Sequence, residues 1–350
     1  RALAPPRPCP TSRRRRRCSP MRAQEHDHTA VGRLVQQAAP AWVVLEACQR
    51  TPEWHDVVGQ ARLLQAIALD PDSAAVDQSY RQRLLKGLVT ALQKLDVELH
   101  ESLLETYLMG MSASAAPSPW SVQTYEVARG QRLRLRVHKG IGGGTETGGV
   151  VWPAALVLCA WLMRLPSFTD LDALELGAGT GLCGLALAQC CRVRRCTLTD
   201  VVPATLDNLR DNVGKLPPTA APCRVAALDW RAPRAFLDAE ERAPDLVLGA
   251  DLVYEPSLAA PLATTLDALL SRAAREARVG VRPRALVACV RRTETWDLFV
   301  RELEAHGLAH ADCTAEAHAA MEAADCPFWC AADEVARVRL LEVRWPEHRL

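Results

Sequence analysis

The chain has 350 residues, 49% of them hydrophobic and 24% charged, with a formal net charge of +1. It is long enough for a full α/β domain beside a smaller one and too apolar to be a disordered protein. The near-zero charge hides an asymmetry: residues 1–22 carry eight arginines and no acid, leaving 34 bases against 41 acids elsewhere, a balance of −7 that gives the folded body no electrostatic reason to bind nucleic acid.

Residues 1–22 combine prolines, serines and the run Arg13–Arg17, a composition that cannot bury a core and reads as disordered. A transit peptide, a nucleic-acid or nuclear-import patch, and leader sequence ahead of a start at Met21 all fit it. No apolar h-region follows, which argues against secretion. Residues 23–112 read as a helical module of three to five helices, from stripes such as Leu34, Val35, Ala38 and Leu85, Leu88, Val89, Leu92. Asp70-Pro-Asp-Ser73 reads as a turn inside it, and 102–111 as its last short helix. The module shows no chemistry and fits a scaffold or a partner-docking surface. Residues 113–121, rich in Ser, Ala and Pro, form a linker, and 122–350 a second domain.

That domain opens with strands over 122–127 and 133–137, joined at Arg129-Gly130. A glycine-rich loop, Gly140 to Gly149, leads into Trp152-Pro153, and proline suits the first position of a helix running from Ala154 to Leu165. Its apolar stretch of about fourteen residues is too short for a membrane span. Taken by itself, Trp152 is an ordinary core aromatic.

The strand Leu171–Leu176 then runs into Glu175-Leu-Gly177-Ala178-Gly179-Thr-Gly181-Leu182, with a helix starting near Thr180. Glycines allow the turn its φ values and let a ligand approach bare backbone above the helix amides. The loop satisfies a dinucleotide fingerprint, with Asp200 at the distance of a ribose contact, but Glu175 ahead of the first glycine suits a cationic cofactor, S-adenosyl-L-methionine, better.

Strands and helices alternate from there. Strand 193–199 ends in Asp200, strand 223–228 in Asp229-Trp230, and strand 245–250 in Ala250-Asp251; helices cover 203–213, 257–274 and 293–307, and further strands 284–290, 308–313 and 335–345. This βαβα order predicts a parallel sheet with helices on both faces, in which ligands bind beyond the carboxyl ends of the strands. Asp200, Asp229 and Asp251 all fall at such ends. Asp200 is placed for ribose hydroxyls, Asp229 for an adenine amino group with Trp230 against the ring, and Asp251 with Tyr254 for the reacting end. Helix capping is the competing use of any one strand-end aspartate. The thirteen cysteines include no Cys-x-x-Cys pair and lie mostly in apolar runs, so reduced thiols in a cytosol-like compartment are expected, and no metal site.

Together, Trp152-Pro-Ala-Ala155, the Glu175–Leu182 loop, Thr199-Asp200, Asp229-Trp230 and Asp251-Leu-Val-Tyr254 resemble the seven-β-strand methyltransferases of family 16, protein-lysine methyltransferases marked by an Asp/Glu-x-x-Tyr/Phe motif. The resemblance spans about Gly148 to Trp345 and implies a Rossmann-like seven-stranded α/β sheet behind the N-terminal helical module. It also implies that Trp152, Gly177, Ala178, Gly179, Asp200, Trp230 and Ala250 contact S-adenosyl-L-methionine while Asp251 and Tyr254 border the lysine channel. The lead into Trp152, the segment Leu298–Leu303 and the preceding helices are most similar to the branch that acts on elongation factor 2, which implies that protein as partner and a cytoplasmic location. Another protein client such as calmodulin or a chaperone, a non-catalytic module of the same fold, and a small-molecule methyltransferase are the alternatives. The intact glycine loop and Asp-x-x-Tyr argue against the second, and a module suited to a large partner against the third. The arginine-rich start and the alanine-rich stretch 315–333 depart from the family pattern, and both the latter and the helical module could touch a client.

Overall fold

A computed structural model describes residues 28–349 apart from 113–117, 129, 142–143, 146, 166–167 and 324. The arginine-rich start, most of the linker and Arg129 of the hairpin turn therefore lie outside the described residues.

The N-terminal helices are α1 (His28–Gln36), α2 (Ala41–Arg50), α3 (Val57–Leu64), α4 (Pro71–Ala74), α5 (Gln78–Gln93) and α6 (Glu101–Ser112), with a π-helical segment Gln65–Leu69 after α3. The apolar stripes meet in one core that includes Leu34, Leu64, Leu85, Leu88 and Leu92. Asp70-Pro-Asp-Ser73 is a helix start rather than the turn read from sequence: the Asp70 carboxylate accepts from the N–H groups of Asp72 and Ser73 at 3.0 Å, and Pro71 fills the first position, where no N–H is needed.

Strands β1 (Trp120–Ala128) and β2 (Gln131–His138) form an antiparallel hairpin, with β1 beginning inside the stretch read as linker. The N-terminal helices rest on it. Arg132 and Arg134 reach Asp72 at 2.8 and 3.3 Å, and Lys139 pairs with Asp77. On the other side, Gln37 donates to the Pro327 carbonyl at 2.8 Å and accepts from the Trp329 N–H at 2.9 Å.

After α7 (Pro153–Leu162) come β3 (Asp172–Leu176), α8 (Leu182–Cys190), β4 (Arg195–Asp200), α9 (Pro203–Val213), β5 (Cys223–Ala227), α10 (Arg234–Ala239) and β6 (Leu246–Ala250). The chain continues through α11 (Ala259–Glu276), β7 (Arg284–Val290), α12 (Thr293–Ala305), β8 (Ala309–Asp312), α13 (Thr314–Glu322), α14 (Ala332–Val335) and β9 (Val338–Arg344). The seven strands lie in the order β5-β4-β3-β6-β7-β9-β8. Every residue of β3 is buried, as a central strand covered on both faces requires. The sheet is not wholly parallel, a correction to the reading from element order: β9 inserts between β7 and β8 and runs antiparallel to both. Apolar alternation marks a strand without giving its direction. The alanine-rich stretch forms α13, whose Ala317 and Ala320 are buried against the same core as α7. Covered by the sheet and by α13, α7 is apolar nearly all round, with eight of its ten residues buried.

Candidate active site at the strand ends

One cavity of about 330 Å³ opens at the carboxyl ends of β3, β4, β5 and β6. Its floor is the glycine loop. Gly177, Gly179 and Gly181 have φ of +52°, +56° and +85°, and Gly181 is the left-handed residue from which α8 starts, two residues later than the sequence suggested. The loop is tied down from several sides. Ala178 N–H donates to Thr199 O at 2.8 Å, Gly181 N–H to Ala178 O at 2.7 Å, and the fully buried Asn212 of α9 donates to Thr180 O at 3.0 Å. Asn212 also accepts from Arg136 N–H at 2.7 Å, so one side chain joins the hairpin to the cofactor-type loop.

The strand-end acids take up the positions around this floor. Asp200 accepts from Gly179 N–H at 3.2 Å and, through its other oxygen, from Val201 and Val202 N–H at 2.8 and 3.1 Å. The same carboxylate therefore holds the turn between β4 and α9 and faces the cavity, without capping the helix. Asp229 accepts from Arg231 N–H at 2.9 Å, with Trp230 beside it on the wall. Asp251 follows Ala250 with φ of +54°, a left-handed conformation that aspartate tolerates better than most side-chain-bearing residues. It is buried, its Oδ1 accepting from Val290 N–H at 3.2 Å. Burial raises its pKa, against the Val290 hydrogen bond and Arg292, which lower it. Tyr254, 38% exposed, stands at the mouth. Asp200, Asp229 and Asp251 thus line a single hollow.

Trp152 lines the same cavity as the N-cap of α7, with its ring fixed by an Nε1–H bond to Thr147 O at 3.0 Å, so it is not a core aromatic. Glu175 lies at the back, 2% exposed, its carboxylate accepting from Gly184 N–H at 2.8 Å in the first turn of α8. Burial pushes its pKa up to about 8; the Gly184 bond opposes this and the Asp200 charge adds to it.

Sequence reasoning missed Arg292, which follows β7 and whose Nη2 lies 3.6 Å from Asp251 Oδ2. It was findable by the rule that found the aspartates, since it too sits just beyond a strand end. Five carboxylic acids line the cavity (Glu175, Asp200, Asp229, Asp251 and Glu255) against two arginines, Arg231 and Arg292. A pyrophosphate would meet repulsion there, whereas a cationic ligand is favoured. Among the described residues, no cluster of three or more His, Cys, Asp or Glu is placed to hold a metal ion, and no helix is long and apolar enough to cross a membrane.

Residues 131–306 match the family model described as lysine methyltransferase, family 16. The chain is 34% identical over 226 residues to the protein-lysine N-methyltransferase EEF2KMT of Homo sapiens, a match covering 60% of this chain and 64% of that protein. It therefore spans just under two thirds of that relative's length. The Bos taurus protein of the same name is 31% identical over 261 residues, covering 68% of this chain and 73% of that one. The EEF1A lysine methyltransferase 3 of Mus musculus is 35% identical over a shorter stretch of 132 residues, 37% of this chain and 54% of the relative.

Proposed function

Because the chain belongs to the family-16 lysine methyltransferases, we propose that it transfers a methyl group from S-adenosyl-L-methionine to a lysine side chain of a protein, and that elongation factor 2 is that protein. The observation carrying this reading is the acid-rich cavity in which the glycine loop, the three strand-end aspartates and Tyr254 face one another.

The residues present fit the cofactor. The three glycines leave backbone where a Cβ would intrude: on Gly177 it would stand 2.7 Å from a Leu252 methyl and 3.1 Å from the Trp230 ring. Asp200 and Asp229 supply charge, and together with Glu175 they supply acceptors, for a cationic, hydroxyl-bearing and amino-bearing molecule, and Trp152 and Trp230 supply flat apolar walls. When bound, the cofactor supplies an electrophilic methyl group on a positively charged sulfur.

The chain's own residues then handle the lysine. It arrives as an ammonium, which the buried Asp251 carboxylate attracts, while Tyr254 narrows the mouth around the aliphatic stem. Attack needs a free lone pair on nitrogen, so a proton must leave first. Burial makes Asp251 a better proton acceptor than an ordinary aspartate, and the open mouth passes the proton to water. The rest is positioning of nitrogen against carbon.

Reduced thiols and a translation-factor substrate fit a cytoplasmic location; the eleven described cysteines are free. The helical domain, docked beside the methyltransferase sheet, fits a surface that grips a large client. The shorter match to a methyltransferase named for elongation factor 1A favours a second reading, in which the client is a different protein. Incubation with labelled cofactor and a cytosolic extract separates the two. A labelled band at the size of elongation factor 2 supports the first, a band elsewhere the second, and label in small molecules only, or none, sinks both.

A further inference from the structure

Arg292 stands beside Asp251 on the wall of the cavity. Its backbone is held at the start of α12, where its carbonyl accepts from Thr295 N–H at 3.2 Å, and its side chain points back to the cavity. There Nη2 lies 3.6 Å from Asp251 Oδ2, and the guanidinium carbon 5.9 Å from the centre of the Trp152 ring. The two partners differ in freedom. The Asp251 side chain is 5% exposed and fixed by its bond from Val290, whereas that of Arg292 is 41% exposed on a flexible stem.

We propose that Arg292 is a resident cation of the lysine channel, balancing Asp251 in the free protein and swinging into solvent when the substrate ammonium takes its place. The proposal rests on the reading of Asp251 as the carboxylate that meets the lysine. Three features support it. A buried carboxylate needs a counter-charge, and at 3.6 Å Arg292 provides one without the short paired hydrogen bonds that would make it hard to displace. The mouth position gives the guanidinium a way out that crosses no packed protein. Finally, a guanidinium stays protonated at neutral pH with no free nitrogen lone pair, so it can occupy the channel without accepting the methyl group itself. The channel would thus select for a cation able to outcompete Arg292, and Arg292 acts through Asp251 as a positioning residue.

The test compares wild type with Arg292→Met, which keeps an unbranched stem but removes the charge, and with Arg292→Lys, which restores it. Each protein is loaded with S-adenosylhomocysteine and titrated calorimetrically with n-butylammonium as a lysine-head probe. Each is also assayed for methylation of elongation factor 2. In Arg292→Met the probe is expected to bind about three- to fivefold tighter, the range one partly exposed ion pair supports. KM for the protein substrate should fall to match, with kcat within about twofold of wild type. Arg292→Lys should return the probe affinity toward wild type, and S-adenosylhomocysteine affinity should be the same in all three. Weaker probe binding in Arg292→Met, a raised KM, or reduced S-adenosylhomocysteine affinity would mean that Arg292 contacts substrate or cofactor instead. Probe binding that is undetectable or equal in all three proteins also overturns the proposal. Absence of S-adenosylhomocysteine binding in wild type would instead remove the methyltransferase reading, and unmodified elongation factor 2 would remove only that client.

Discussion

Replacing Gly177 by alanine tests the floor of the cavity through two effects of the same sign. Its φ of +52° lies in the left-handed region, where a Cβ costs about 1–2 kcal/mol relative to glycine. The new methyl would also stand 2.7 Å from Leu252 Cδ2 and 3.1 Å from Trp230 Cζ2. Leu252 is 2% exposed, so its side chain cannot retreat into solvent, and overpacking of this kind adds about 1–3 kcal/mol. The narrower unfolded ensemble of alanine returns about 0.5 kcal/mol, leaving a net loss of about 1.5–4.5 kcal/mol. Gly280→Ala is the matched control: φ there is +82°, but nothing lies within 4 Å of the added Cβ, so only the backbone cost remains. The assay is the midpoint of urea unfolding for both variants, together with calorimetric titration by S-adenosylhomocysteine. Gly177→Ala should unfold at lower urea than Gly280→Ala and, because relief of the contact moves Trp230, lose about tenfold or more in affinity; Gly280→Ala should bind as wild type does. Equal midpoints with wild-type affinity in Gly177→Ala would refute this reading of the loop.

Other outcomes follow from the buried acids. The pKa of Glu175 is raised to about 8 from an ordinary 4.5, so the folded state holds a proton that the unfolded chain releases. Its stabilising contribution is present below pH 4.5 and lost as pH rises toward 8, and the stability difference between wild type and Glu175→Gln should change across that window and flatten above it. Binding of the cationic cofactor near pH 7 should release protons in wild type and none from this site in Glu175→Gln, which calorimetry in buffers of different ionisation enthalpy would register. At the opposite end of the sheet, Asp172 has a 4% exposed side chain held by Arg194 at 2.5 Å and Arg195 at 3.2 Å. Asp172→Ala should cost about 1–3 kcal/mol in urea unfolding, because the arginines left behind are 35% and 41% exposed and rehydrate, yet leave S-adenosylhomocysteine affinity unchanged; a loss of affinity at a temperature where the variant is still folded would count against the separation of scaffold from site.

The parts of the molecule that could be read from sequence are those whose physics is local. A glycine loop between an apolar strand and helix, and acids just past apolar runs, declare themselves within a few residues; Asp200, Asp229 and Asp251 were placed by that logic and do line one cavity. What was not legible depends on partners far along the chain. The direction and insertion of β9 is fixed by pairing with β7 some fifty residues earlier, as in Ala288 opposite Leu340. The alanine-rich stretch becomes a helix because α7 offers it an apolar face, and Trp152 is drawn out of the core by the Thr147 carbonyl. Glu175 was read as facing a ligand's charge, but its strongest visible engagement is with the N–H of Gly184, a contact set by the close approach of α8 to β3. The left-handed backbone of Asp251 leaves no mark in the sequence, because aspartate, unlike glycine, is common in other conformations too.

The most direct measurement is mass spectrometry of purified elongation factor 2 after incubation with S-adenosyl-L-methionine and either wild-type protein or Asp251→Asn. Asparagine keeps an acceptor for the Val290 N–H and tolerates φ of +54°, so the variant should fold and bind S-adenosylhomocysteine within about threefold of wild type. Wild type should leave a methylated lysine, and the variant should do so about a hundredfold more slowly or worse. Equal rates for the two proteins would contradict a carboxylate-guided transfer to lysine in this cavity, and an unmodified factor despite tight cofactor binding by wild type would contradict elongation factor 2 as the client.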